Sequence, residues 1–230
     1  MRHNLVVGSE NVYNRDSIAI GWLVRAVAYR CTKKPLVWCE ETRLTTAKKD
    51  DWGPFSSLPG NPLMWVFILS EMLVFSAFFV LYAWQRAADP ALFNASQQLL
   101  DPLTGGLNTM VLLTSGLCAA FAIQAIADNN KPRCRQWLGL AMVLGVIFCF
   151  IKVLEYIDKF SAGLTPETDS FFTYYYLLTG FHFAHVVYGL ALLALASWRT
   201  SRVNVEIVTA FWHLVDLIWV LLYPLLYLLR

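Results

Sequence analysis

The chain has 230 residues, of which 57% are hydrophobic and only 15% charged, with a mean hydropathy of +0.50 and a formal net charge of +2. An ordinary soluble domain carries roughly 25% charged residues; here the charges collect between long uncharged stretches, the pattern of a polytopic membrane protein. So small and scattered a positive balance does not suggest nucleic-acid binding.

Residues 1–57 are expected to form a cytoplasmic N-terminal extension without an assigned role. They are mixed in charge and lack a long apolar run. Ser17 to Tyr29 suits a short amphipathic helix; Ile18 to Tyr29, interrupted by Arg25, is too short and too charged for a secretory signal. Residues 58–230 are expected to be one membrane domain. Its start, Asn61-Pro62, suits an N-cap followed by the first helical position, where the missing proline N–H costs nothing.

Five spans follow, running from about Pro62 to Trp84, Gly105 to Ala127, Trp137 to Tyr156, Phe171 to Trp198 and Glu206 to Leu229. Each reaches the ~20 residues needed to cross about 30 Å of hydrocarbon. The expected fold class is therefore all-α, a membrane bundle of five transmembrane helices. Trp84, Trp137 and Trp198 fall at span ends, as interfacial aromatics do. Pro224 should kink the last span.

Orientation follows from Lys and Arg placement. The loop with Lys131, Arg133 and Arg135 and the loop with Arg199 and Arg202 outweigh the opposite Arg86, Lys159 and Arg230. The N-terminus is thus expected inside the cell and the C-terminus outside. The cysteines, Cys31, Cys39, Cys118, Cys134 and Cys149, form no Cys-x-x-Cys pair. They read as reduced, structural thiols rather than a disulfide framework or a zinc site.

Ionisable groups inside a bilayer cost on the order of 2.5–3.5 kcal/mol each on insertion scales, so those present are candidate functional residues. Glu71, His182, His185, His213 and Asp216 fall well inside the spans, with Lys152 and Glu155 nearer the outer end of the third. Glu71 lies among Phe67, Ile68, Val74, Phe75 and Phe78. It must either find a partner in the bundle or hold its proton. One reading is a neutral hydrogen-bonding side chain, the other a proton- or lipid-linked carboxylate.

His182 and His185 share a helix face with Tyr175, Thr179 and Gly189, and the last span offers Thr209, His213, Asp216, Tyr223 and Tyr227. The two stripes are expected to face each other, with His bonded to Asp or Glu across the gap. Such residues act as polar glue or, alternatively, as ligands of a b-type haem, using His182 or His185 with His213. Asp216, one turn from His213, crowds a haem site, and no set of His and Cys suits a metal ion. Asn108, Ser115 and Gly116 on the second span, the last paired with Ala120, are expected to serve close helix packing.

In order along the spans stand Ser70-Glu71 with Phe75 and Phe78-Phe79; Leu107-Asn108-Thr109 with Ser115-Gly116; Glu155-Tyr156; Thr179-Gly180-Phe181-His182 with His185-Val186 and Gly189; and Trp212-His213-Leu214-Val215-Asp216 with Trp219. With these motifs the chain from about Leu58 to Leu229 resembles subunit III of the haem-copper respiratory oxidases. Leu58-Pro59-Gly60, Lys152 before Glu155, Gly163-Leu164-Thr165-Pro166 and Pro224-Leu225-Leu226-Tyr227 make it most similar to the branch associated with nitric oxide reductase.

The resemblance implies a non-catalytic subunit that binds no haem or metal itself. It would pack on a large catalytic subunit holding haem and copper or iron, bind phospholipid, and support proton uptake in the inner (plasma) membrane. It maps the family's buried carboxylate onto Glu71 and a polar cluster onto Glu155, His182, His185, His213 and Asp216, with Trp212 and Trp219 in packing roles. Longer members have two further N-terminal helices that this sequence lacks, which weakens any transfer of their lipid cleft. A stand-alone b-type cytochrome and a proton-coupled transporter using Glu71 and Asp216 are the competing readings.

Overall fold

A computed structural model describes residues 62–229, and all of its regular structure is helical. Asn61, the Ser17–Tyr29 segment, Cys31 and Cys39 lie outside the described residues. In chain order come α1 (Pro62–Ala88), the short α2 (Pro90–Gln97), α3 (Pro102–Ala127), α4 (Lys131–Ser161), α5 (Ser170–Trp198) and α6 (Arg202–Tyr223), then a π-helical turn at Pro224–Leu228. Five helices are long and apolar enough to span a membrane, as the sequence leads one to expect.

The differences have local causes. α4 begins at Lys131 rather than near Trp137, so Lys131, Arg133 and Arg135 ride on its first turns and the connection before them is only Asp128–Asn130. A helix keeps its backbone bonds on leaving hydrocarbon, so charged residues lengthen it rather than end it. Helix starts are written in the sequence as acidic or amide caps followed by proline. Asp89 precedes Pro90, Asp101 precedes Pro102, and Asn130 accepts from the Arg133 amide just before Pro132. Asp101 accepts from the Leu103 and Thr104 amides and the Thr104 hydroxyl, and these bonds hold its carboxyl below the usual carboxylate range. α4 closes at Gly163, whose φ of +76° suits the left-handed cap, with the Leu164 amide returning 3.0 Å to the Lys159 carbonyl.

α3, α4, α5 and α6 pack in a ring, each against the next and α3 against α6. α1 lies over the α5–α6 seam through Phe67 on Phe211 and through Phe75 and Phe78 on Phe181. Most of its surface faces outward, including Leu69, Leu73 and Val80. At one end of the bundle Arg135 donates 3.0 Å to the Thr200 hydroxyl, joining the α3–α4 and α5–α6 junctions. At the other, Ser96 donates 2.6 Å to Asp169 and Lys159 donates to the Leu99 carbonyl. Trp84 and Trp198 project outward at these opposite ends. Cys118, Cys134 and Cys149 are free thiols.

The ring is keyed by Trp212. Its indole lies between Gly145 of α4 and Gly189 of α5, where added Cβ atoms would come within 2.9 and 2.8 Å of the ring. Its N–H donates 3.1 Å to the Ser115 hydroxyl of α3, which itself donates 2.7 Å to the Ala141 carbonyl of α4. One side chain of α6 therefore touches each of the other three helices of the ring. Gly189→Ala is expected to destabilise the bundle by ~1–3 kcal/mol through overpacking. Gly180→Ala, whose Cβ would meet nothing within 4 Å, should be neutral or slightly stabilising. Thermal melts of the two variants in one detergent, followed by helical circular dichroism, check the opposite signs.

Candidate functional site in the polar interior

Lys152 on α4 is fully buried and nine residues from the helix end at Ser161, about 13 Å at the helical rise. Its ammonium has three hydrogens and three acceptors: Glu155 Oε2 at 3.1 Å, the Tyr175 hydroxyl at 3.1 Å and the Tyr227 hydroxyl at 2.8 Å. Each tyrosine passes its own proton to Glu155 Oε1, at 2.6 Å in both cases. The network is closed, because every donor has an acceptor within it. The rings of Tyr156, Tyr175, Trp219 and Tyr227 stand 4.8–5.4 Å from the ammonium and add cation–π attraction in place of water.

Three elements deliver these atoms. Lys152 and Glu155 are one turn apart on α4, and Tyr175 comes from α5. Tyr227 comes from the π-helical turn, which closes through the Leu229 amide on the Pro224 carbonyl at 2.9 Å. Pro224 cannot donate to the turn before it, and the chain continues beyond it in the wider turn. The expected kink is thus realised as a change of helix type. The Tyr227 ring lies over Gly105 of α3, whose Cβ would be 3.1 Å from it.

Glu71 on α1 and His185 on α5 form the second group, with Oε2 and Nε2 3.1 Å apart and the side chains 19% and 15% exposed. His185 Nδ1 is 2.8 Å from the Phe181 carbonyl. A carbonyl only accepts, so Nδ1 carries a proton. A hydrogen bond between Nε2 and the carboxyl then requires one more, lying on either Glu71 or His185. The pair holds one transferable proton, with Phe75 and Phe181 packed against the imidazole.

The third group lies between α3 and α6. Asp216 is buried with Oδ2 where a Gly116 Cβ would be, 2.1 Å away, and its Oδ1 has no partner among the described residues. His213 Nδ1 stands 3.8 Å from Oδ2, in ion-pair rather than hydrogen-bond range, and its side chain is 44% exposed. His182 is fully buried, stacked on Trp219 at 5.1 Å and edge-on to Phe148, and neither ring nitrogen has a hydrogen-bond partner among the described residues.

The two expected stripes meet through Tyr175 and Tyr227, but no histidine of one bonds an acid of the other. The six candidate polar residues divide into Glu71–His185, Glu155 with its lysine and tyrosines, His213–Asp216, and a solitary His182. The helical angle explains the division: on α6, His213 turns outward, Asp216 toward α3 and Trp219 toward α4 and α5. His182 and His213 consequently meet different neighbours, His182 the Trp219 ring and His213 the Asp216 carboxylate. Among the described residues no three His, Cys, Asp or Glu converge on one point.

Of the expected packing residues, Asn108 donates 3.4 Å to the Phe148 carbonyl, and Trp219 donates 3.0 Å to the Thr109 hydroxyl. Gly116 is buried where α3 meets α6 and leaves room for the Asp216 carboxylate. The sequence reading did not assign Lys152, Tyr175 and Tyr227 to one site. A lysine and a glutamate three apart in an apolar run were the available signal.

Comparison with known proteins gives a concordant picture. The family model described as "Cytochrome c oxidase subunit III" matches residues 60–229. "Cytochrome c oxidase subunit 3" of Synechocystis sp. is 32% identical over 173 residues, covering 71% of this chain and 73% of that protein. "Cytochrome c oxidase subunit 3" of Thermostichus vulcanus is 28% identical over 173 residues, covering 71% and 84%. "Cytochrome bo(3) ubiquinol oxidase subunit 3" of Buchnera aphidicola is 24% identical over 179 residues, covering 72% and 84%.

Lys152→Met should destabilise the chain by about 3–5 kcal/mol, because Glu155 then remains buried without its cation. Lys152→Met combined with Glu155→Gln should recover part of that loss, since a neutral amide can still accept from both tyrosines. A double-mutant cycle of detergent melting midpoints measures the coupling; additive losses would contradict it.

Proposed function

Because the chain belongs to the cytochrome c oxidase subunit III family, we propose that it is a non-catalytic membrane subunit of a respiratory haem-copper oxidase or nitric oxide reductase complex. It stabilises the large catalytic subunit and supports proton uptake in aerobic or nitric-oxide-linked electron transport. The observation that carries this reading is how the interior polar groups are used. Lys152, Glu155, Tyr175 and Tyr227 are consumed by one another, tying helices together rather than presenting a reactive atom to a substrate.

On this reading haem and copper or iron reside in the partner, and phospholipids cover the outward apolar belt of the helices. The motifs around Lys152 and Pro224 favour a member that serves nitric oxide reduction. The basic junctions of α3–α4 and α5–α6 face the cytoplasm in the inner (plasma) membrane, with the N-terminal side there too. Glu71 with His185 is the group suited to a proton-linked role, because it holds one transferable proton and is partly exposed.

Purification of the tagged chain in mild detergent tests this directly. A large haem-bearing subunit is expected to co-elute, with the Soret absorbance following that subunit when a harsher detergent separates the two. A chain that always elutes alone, or that keeps a Soret band by itself, would sink the proposal. Within an assembled complex, Glu71→Gln should slow proton uptake while leaving the haem spectrum unchanged; a wild-type rate would remove the proton-linked role.

A further inference from the structure

Four side chains, one from each helix of the ring, meet at a single level of the bundle: Asn108 of α3, Phe148 of α4, His182 of α5 and Trp219 of α6. Phe148 and Trp219 meet edge to face at 4.9 Å, and the His182 ring lies 5.9 Å from the first and 5.1 Å from the second. The Asn108 amide donates 3.4 Å to the Phe148 carbonyl, and the neighbouring Thr109 hydroxyl accepts from the Trp219 indole at 3.0 Å. All four of these side chains are buried. His182 is 12 residues from the start of α5 and 16 from its end, about 18 and 24 Å along the helix. Bulk solvent is remote in either direction.

At this level three polar atoms have no partner among the described residues: Asn108 Oδ1 and both ring nitrogens of His182. Their needs differ. The amide oxygen only accepts, whereas a neutral imidazole offers one N–H and one lone pair. The imidazole is neutral, because the Lys152 ammonium stands over the same indole at 5.3 Å and Glu155 is already its counter-ion. A second buried cation would have no partner.

The level thus holds a buried donor and a buried acceptor on α5 and α3, which lie across the ring from each other, and no direct bond joins them. Leaving both unpaired in so dry a place is costly. Only a molecule that accepts and donates at once relieves both, and water is the smallest that does. A metal ion could not take the imidazole hydrogen, and the nearby ammonium repels it.

We propose that one internal water bridges His182 and Asn108, accepting the imidazole N–H and donating to Oδ1. It joins α3 to α5, the pair of ring helices that do not pack on each other. The site belongs to this chain alone and stands whatever its partner.

Solid-state NMR of the full chain in lipid bilayers, with the histidine rings labelled in 15N, tests this. The His182 signals are identified by their absence in His182→Phe. Polarisation placed on water is expected to reach a His182 nitrogen in the wild type, with one ring nitrogen protonated and the other not. In Asn108→Leu, which removes one of the two anchors and leaves Lys152 and its tyrosines in place, that transfer should be lost. Asn108→Met makes the same comparison if the leucine variant does not fold.

Transfer that persists in the Asn108 variant comes from the lysine and tyrosine hydrogens instead and overturns the water site. A wild-type spectrum in which His182 receives no transfer, or in which both of its nitrogens carry protons, overturns it without any variant.

Discussion

Everything in the bundle is subordinate to one requirement: a lysine ammonium buried among apolar helices must find three acceptors without water. Lys152 finds them on three separate elements, and its counter-ion Glu155 finds three donors in the same set. Geometry this demanding fixes the relative height and rotation of α4, α5 and the segment after α6. A shift of one turn in any of them moves an oxygen by ~5 Å and leaves a charge exposed to hydrocarbon. A buried ion pair is a poor source of net stability but a strong selector among packings, because wrong arrangements strand it.

Apolar packing makes a second, independent determination of the same arrangement. Trp212 fits between Gly145 and Gly189 and reaches Ser115, while Trp219 packs against Phe148 and His182 and bonds Thr109. The two indoles are seven residues apart, and together they key α6 into α3, α4 and α5 at two depths. Lipid tails compete with apolar side chains on nearly equal footing, so helices in a bilayer gain little from burial alone. Small residues that admit a large ring, and hydrogen bonds that orient it, supply the specificity that a soluble core draws from water.

Much of this was legible in the sequence, because one-dimensional rules govern it. Hydropathy alone delimits the five spans, and the family motifs fall on the residues that meet inside the bundle. The short α2 was not read, since Pro90–Gln97 has neither the length nor the apolarity of a span; its Asp89-Pro90 cap was the available sign. Three other features escaped for geometric reasons. Helical spacing counts 3.6 residues per turn, so it could not foresee that the π-helical turn at Pro224 would swing Tyr227 toward Lys152. It also set Asp216 and Tyr227 on one stripe, although Asp216 is buried against Gly116 while Tyr227 bonds Lys152. The meeting of Glu71 with His185 spans 114 positions and depends on how α1 settles on the ring, which no local pattern encodes.

That separation bears on how the protein is made. Lys152 and Glu155 leave the ribosome three residues apart and can enter the bilayer as a pair, already compensated. Glu71 has no such companion. It arrives on the first described span, and His185 is synthesised only after two further membrane helices have been laid down. For that interval Glu71 faces lipid or the insertion machinery alone, at an insertion cost of a few kcal/mol. α1, outward on most of its surface, therefore carries an ionisable group whose partner His185 is translated only two membrane helices later.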